Sequence, residues 1–529
     1  MVTPRLRPMG ERALLAEVDD LAQVVGLHAA LAADPPVGVD DLVPAARTVL
    51  VAFDPARITP AAVRAWVRSA ADAAPDAVTP GPLVEIPTRY DGADLEDTAA
   101  VLGIPVAELV DRHTAARWRV AFTGFAPGFA YLVSDDWPWD VPRLRQPRTR
   151  VPAGSVGLAG EFTGAYPRET PGGWRLIGTT GAPLFVPDAT DPVLLTPGAR
   201  VRFVPQRSRI PAAPGGDSAG GGSNAAAESS RSELSSRPRT SPPPGVAALE
   251  VLAPGALAMV QDLGRPGRAA LGIARAGALD RAALRIANRL VGNAETAAGV
   301  EIVLGGFRAR AVTDTWVAVT GTLAEVRVDG RAVDAYAPVL LPAGAELSIG
   351  VARAGARLVL GIRGGVAASV SLGSRSTDVL ASLGPAPLRA GDVLGVAEAP
   401  DPVPVVDVFP WSVPGSVVEV SLAPGPRADW FTPAAQRALR ETAWTVSSDA
   451  DRVGIRLDGP VLERVRHDEL PSEGMRPGAL QVPPHGRPVI LLADGPVTGG
   501  YPVIAVVTDA TLDRLAQARP GDLVRFRGV

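Results

Sequence analysis

Three stretches of this chain set chemically competent side chains inside Gly-rich, apolar surroundings. The first, residues 113–132, opens on His113 and runs into a GFAPGF turn walled by aromatic rings. A histidine titrates near neutrality, which suits proton transfer. The plainer alternative is a cap or a satisfied polar group at the end of an element. In the second, Arg148 and Arg150 flank a threonine just before Gly154 and Ser155. Two guanidinium groups beside a turn of N–H groups make an oxyanion or phosphate cradle, the alternative being solvated arginines on a strand edge. The third runs from Asp262 in QDLGRPG through GALD, ending in Asp280, to a helical stretch carrying Asn288. Both aspartates suit a metal or a polar substrate, although Asp280 also stands where a helix N-cap belongs. Arg375 in GSRSTD, Glu473 in PSEG and Gln481 before two prolines complete the polar candidates from single motifs.

The residue types that are missing narrow the chemistry. There is no cysteine, which excludes thiol nucleophiles, thiolate metal sites and disulfides within the sequence. All 52 basic residues are arginine. Without lysine there is no Walker-type phosphate loop, no Schiff base and no covalent biotin on this chain. Four histidines, at 28, 113, 467 and 485, form no HxH or HExxH pair, so a histidine-rich metal site is not expected. The net charge of −4, with acids and bases interspersed, points away from nucleic acid and anionic membrane. Apolar runs are of strand length, and the N-terminus lacks an apolar signal core, an expectation of a cytoplasmic protein.

These groups need a scaffold, and at this length it is more than one domain. Residues 207–246 are Gly-, Ser-, Pro- and Ala-rich with almost no large apolar side chain, and are expected to be a disordered linker between two modules. Residues 1–80 read as a small α/β sandwich with helices at Leu21–Ala33 and Thr59–Ala74 and a strand at Thr48–Phe53. Residues 81–206 read as a β-barrel, 247–400 as a first β-rich domain with a helix at Gly277–Val291, and 401–529 as a second barrel. A weak repeat joins the modules: LAGEFTGAYP (158–167) resembles LADGPVTGGYP (492–502), and each precedes a closing PGxxVRF strand. These loops contribute Tyr166, Asp494, Thr498 and Tyr501 as candidate pocket residues.

Taken together the motifs resemble a known pair of proteins. GFAPGFAYL, PRLRQPRTRVPAGSVGLAG and TGAYPRETPGGWRLIGTT are similar to the KipI family, also described as the B component of 5-oxoprolinase or as allophanate hydrolase subunit 1. QDLGRPGR, GALDRAALRIANRLVGN, LGSRST, PSEG and TGGYPVIAVV are similar to KipA, the C component of 5-oxoprolinase. The same pair resembles the carboxyltransferase part of urea carboxylase. The resemblance implies a mainly β chain with α+β parts, in which cyclophilin-like barrels follow a small α/β sandwich. It also implies that two partner proteins are fused and dock on each other. Its functional implication is ATP-dependent opening of 5-oxoproline, with ATP and Mg as substrate and the LamB/YcsF-type A component of 5-oxoprolinase as partner. Within that reading His113, Arg148 and Asp280 are expected to be catalytic. Arg150, Gly154, Ser155, Tyr166, Asp262, Asn288, Arg375, Glu473, Gln481, Asp494, Thr498 and Tyr501 are expected to bind substrate or nucleotide. Carboxyl transfer from a biotin carried on another chain, and regulation of a sensor histidine kinase, are the alternatives. One departure stands out: the family's DRQTTGGYP run is here Asp494-Gly-Pro-Val-Thr498, without its arginine and glutamine.

Overall fold

In the computed structural model, residues 3–74, 81–146, 148–187, 189, 191–206, 245–399, 401–405 and 409–528 are described. The chain is mainly β, with 37% strand against 16% helix. Residues 207–244 of the expected linker lie outside the described residues, and its last position, Val246, already opens the strand Val246–Pro254.

The N-terminal unit is a four-stranded antiparallel sheet in the order Arg5–Pro8, Ala13–Glu17, Thr48–Phe53, Val39–Pro44. Strand alternation divides its side chains between two cores. Leu14, Ala16, Val49 and Val51 meet the helices Leu21–Ala33 and Pro60–Asp72. Ala13, Leu15 and Leu50 face the other way and pack with Met475, Leu491, Val497 and Val506 of the C-terminal barrel. Both faces are therefore apolar, and the second is covered only because the two ends of the chain meet. The second helix begins one residue later than expected, because the Thr59 hydroxyl accepts the Ala62 N–H as an N-cap and Pro60 takes the first helical turn.

A seven-stranded sheet follows, in which the strands Leu83–Thr88 and Arg200–Pro205 run parallel. From Val246 on, six- and five-stranded sheets pack over one apolar core, and the helix Arg281–Leu290 lies against them. This helix starts four residues later than the apolar periodicity suggests. Asp280 accepts the Ala283 N–H and so ends the preceding loop as an N-cap. The last unit is a closed seven-stranded barrel joined by the parallel pair Val417–Pro424 and Leu523–Gly528.

The first and last β units share local construction. In each, a helix is followed by a strand beginning near a buried tryptophan whose indole N–H donates to a carbonyl five residues earlier. Trp118 donates to the His113 carbonyl at 2.9 Å, and Trp444 donates to the Leu439 carbonyl at 3.0 Å. The two PGxxVRF segments supply the equivalent parallel closing strands, with Phe203 and Phe526 in the cores.

Candidate functional site at the seam between the modules

The two modules meet where the GFAPGF turn of the first reaches the TGGYP turn of the second. Thr498 lies on the short strand Thr498–Gly499, paired with Glu473–Gly474. Its Oγ1 accepts the Phe125 N–H at 2.9 Å, and Phe125 is held at φ +63°. Gly124 must lack a side chain, since a Cβ there would lie 2.6 Å from Thr498 Cγ2. Thr123 donates to the Ala270 carbonyl, Ala46 N–H donates to the Ser472 carbonyl at 3.1 Å, and Arg143 pairs with Glu469 at 3.2 Å. Phe125, Phe129, Tyr131, Tyr166 and Trp174 form an aromatic wall on the first module's side. Tyr131 reaches the side chains of Ser472 and Thr498; burial pushes its hydroxyl up to about 12, so it stays protonated and able to donate.

A second contact region lies beside the first. The loop 371–383 of the second module carries Asp378, which is buried and faces Arg265 at 3.6 Å. Arg168 of the first module feels the same carboxylate. Arg168 Nη1, Arg265 Nε and Nη1, and Asp378 Oδ2 are buried polar atoms without a hydrogen-bond partner. Burial, with Asp494 nearby, raises Asp378 well above the usual carboxylate range. Outside the barrel wall, a cavity of about 660 Å³ is lined by Arg464, His467, Glu469, Leu470 and Tyr501 among others. Glu469 is the partner of Arg143, so this cavity opens next to the seam.

The residues expected from sequence divide into two groups. His113 is not at the seam: it is fully buried in the first module, with Nδ1 2.8 Å from the Tyr90 hydroxyl, Nε2 2.9 Å from Thr163 Oγ1 and its ring against Phe203. Burial pushes it down to about 3, and a neutral imidazole with both nitrogens occupied has no acid–base role. Arg148 is committed to Asp94 through two bonds of 2.8 and 2.6 Å, and Arg150 pairs with Glu169 on the surface. The Gly154 N–H, at φ +78°, donates to the Tyr166 carbonyl, and the Ser155 N–H to Pro152. The expected anion cradle is therefore consumed internally. Asp280 is the N-cap already described and also accepts from Gln517 at 2.7 Å; burial raises it to about 6. Asn288 ties the helix to the carbonyls of Glu295 and Ala297.

The second group gathers at or near the seam. Thr498 bridges the modules, Tyr166 belongs to the aromatic wall and Tyr501 lines the cavity. Gln481 is buried and turns its oxygen toward Gly499. Glu473 pairs with Arg427, which also holds Glu17 of the N-terminal sheet at 3.0 Å. Asp494 is buried under Arg452, which bonds Glu301 at 2.6 Å as well. Asp262 holds the loop that presents Arg375. Tyr131, Arg143, Arg168, Ser472 and Asp378 also stand at the seam and are not among the candidates expected from sequence. All five stood inside or at the edge of the motifs quoted above, but strand alternation alone does not say which face of a motif meets the other module.

Models of the carboxyltransferase domain match both modules, subdomains C and D over residues 4–195 and subdomains A and B over residues 271–528. The chain belongs to the carboxyltransferase-domain family. It is 36% identical to the C component of 5-oxoprolinase from Escherichia coli over 281 residues, 53% of this chain and 90% of that protein. It is 48% identical to the B component of 5-oxoprolinase from E. coli O157:H7 over 130 residues, 24% of this chain and 60% of that protein. Urea amidolyase of Saccharomyces cerevisiae is 32% identical over 304 residues, 53% of this chain and only 16% of that longer protein. Across the whole fold, the crystal structure of TTHA0988 superposes with a TM-score of 0.82 at 34% identity, covering 98% of this chain and 99% of that one. Segments homologous to the B and C components are thus carried on one polypeptide.

Proposed function

We propose that this chain is the fused B–C component of an ATP-dependent 5-oxoprolinase, working with a separate LamB/YcsF-type A component. The observation that carries this reading is the seam, where segments homologous to the two components dock through Thr498, Tyr131 and the Arg168–Asp378–Arg265 cluster. A lactam is a poor electrophile. Transfer of the ATP γ-phosphoryl group to its amide oxygen, with ADP leaving, makes the ring carbon open to water. On this chain Tyr131 is a protonated donor, the arginines at the seam stabilise anionic charge, and Asp378 is the carboxylate whose affinity for protons is raised there. The described residues contain no group of three His, Asp or Glu able to seat a metal ion alone. Arg148, Arg150 and the Gly154–Ser155 turn do not fit a nucleotide phosphate, because their donors are already bound within the first module.

Carboxyl transfer to urea or another amide is the second reading, favoured by the similarity to urea amidolyase over 53% of the chain. It needs a biotin carrier elsewhere, since this chain has no lysine. ATP consumption by the purified chain with and without an A-type partner separates the two. The proposal expects turnover that depends on 5-oxoproline and on the partner. Turnover indifferent to 5-oxoproline in the partner's presence overturns it.

A further inference from the structure

The repeat shared by the two modules ends each time in a tyrosine and a proline, and the two rings have opposite surroundings. Tyr166, in TGAYP, is 1% exposed and lies against Phe125, Phe129 and Trp174. Tyr501, in TGGYP, is 44% exposed and borders the cavity of about 660 Å³ outside the barrel wall. An aromatic face that one module covers with its own rings is left open in the other, with space beside it.

The rest of that wall is fixed by backbone bonds. The Leu462 N–H donates to the Gly486 carbonyl at 2.8 Å, the Val465 N–H to the Trp430 carbonyl at 2.8 Å, and the Thr432 N–H to the Glu463 carbonyl at 3.1 Å. Arg464 stands between these anchors. Its Nη2 donates to the Val482 carbonyl, and the Val482 N–H donates to the Pro502 carbonyl at 3.1 Å, which couples the guanidinium to the loop of Tyr501. Among the described residues that carbonyl is the one hydrogen-bond partner of the Arg464 side chain. Burial lowers the proton affinity of Arg464, with the Tyr501 hydroxyl acting the other way. A half-buried cation so sparsely paired is stabilised by an anion. Arg148 and Arg150 already hold carboxylates, and a chain without lysine meets phosphate with arginine, backbone N–H groups or a metal.

A bare ring and an undercompensated cation on one cavity wall suit a ligand with a flat heterocycle and an anionic group. We infer that this cavity binds the magnesium complex of an adenine nucleotide, with the base against Tyr501 and the phosphates at Arg464. This rests on the oxoprolinase reading and deepens it by giving ATP a place on the chain. Cavities of ~300–1,000 Å³ hold ligands of this size. Glu463 and Asp468 line the same cavity. They repel a bare triphosphate and suit its magnesium form, in which one or two carboxylates share the cation with phosphate oxygens. Leu470 of the cavity stands two positions before Ser472, and Tyr501 three positions after Thr498, so the nucleotide lies beside groups that join the modules.

The test is calorimetric binding of ATP, adenosine and inorganic triphosphate to the full chain, with magnesium and with the metal chelated. Chelation should weaken ATP. Tyr501→Ala should weaken ATP and adenosine alike by about 10-fold, the scale of one lost base–aromatic contact, and leave triphosphate within about two-fold. Arg464→Gln, which keeps a donor for the Val482 carbonyl, should weaken ATP and triphosphate roughly 10- to 100-fold and leave adenosine within about two-fold. ATP affinity unchanged in either variant, equal loss of adenosine and triphosphate in either, or no binding of ATP by the native chain overturns the site. ATP affinity that depends on both residues, in a chain whose ATP consumption with the A-type partner ignores 5-oxoproline, keeps the site and removes the oxoprolinase reading. Consumption that requires 5-oxoproline, in a chain whose ATP affinity ignores both residues, does the reverse.

Discussion

The Gly124–Thr498 contact allows the seam to be perturbed by one methyl group. A Cβ at position 124 would stand 2.6 Å from Thr498 Cγ2 and 2.8 Å from Thr498 Cβ, and closer still to Oγ1. Carbon atoms in contact ordinarily sit about 3.5 Å apart, so the modules must give way by about 0.9 Å at this point. Thr498 cannot swing aside freely: it is buried, accepts the Phe125 N–H and meets the Tyr131 hydroxyl. Overpacking of this kind costs about 1–3 kcal/mol, and a misplacement near 1 Å between groups that must act together costs on the order of 10²-fold in turnover. Gly124→Ala should therefore lower 5-oxoproline-dependent ATP consumption by roughly that factor while the chain stays folded at 25 °C. Adding Thr498→Gly removes the obstructing atoms and should restore turnover above that of Gly124→Ala alone, despite the lost hydrogen bond. Native turnover and an unchanged thermal midpoint in Gly124→Ala would refute the reasoning. So would a double variant no better than the single one, since the clash would then not be the cause.

Two further substitutions test the charges buried in the fold. Arg452 binds Glu301, Asp494 and the Gly277 carbonyl, all within the second module. Arg452→Met should destabilise that module by about 3–5 kcal/mol, because Asp494 and Glu301 lose their nearest counter-charge and Glu301 keeps only Arg357 at 3.5 Å. The double variant with Asp494→Asn, which leaves Glu301 to Arg357, should recover part of this in urea unfolding, and a double variant as unstable as the single one would contradict the account. His113 makes the first module sensitive to acid. Burial holds it at about 3 in the folded chain against an ordinary 6.5, so below pH 6.5 the unfolded chain binds the extra proton. Stability is complete above pH 6.5 and falls by about 1.4 kcal/mol per pH unit below it. His113→Gln should flatten this dependence between pH 6.5 and 4 in thermal unfolding of the first module; parallel slopes in variant and native chain would show that His113 is not the source.

Local signals carried a good deal of the fold. The strand Thr48–Phe53 and the helix Leu21–Ala33 have the bounds that periodicity and capping indicated, because their apolar side chains repeat at the spacing of the element and their ends carry Asp20, a turn or a proline. The repeated PGxxVRF segments were legible as equivalent strands, and the structure makes both of them parallel partners of their unit's first strand. The motif QDLGRPG and the run GSRSTD were each visible as polar islands in apolar sequence. Nothing local shows that Asp262 in one grips Ser374, Arg375 and Ser376 in the other, since these residues lie more than 100 positions apart.

Residue types alone determined what this protein lacks, and the order of motifs determined its family and its two-module plan. Tertiary structure decided which polar residues are available for chemistry. His113 and Arg148 stood as catalytic candidates in the sequence, and Thr498 as a binding candidate. Folding then buried the first between Tyr90 and Thr163, spent the second on Asp94 and set the third against Phe125 of the other module. A side chain's type gives its capacity to donate, accept or titrate, whereas its partners and its distance from water decide whether that capacity is already used. Those partners come from distant parts of the chain, and only the packing of the two modules brings them together.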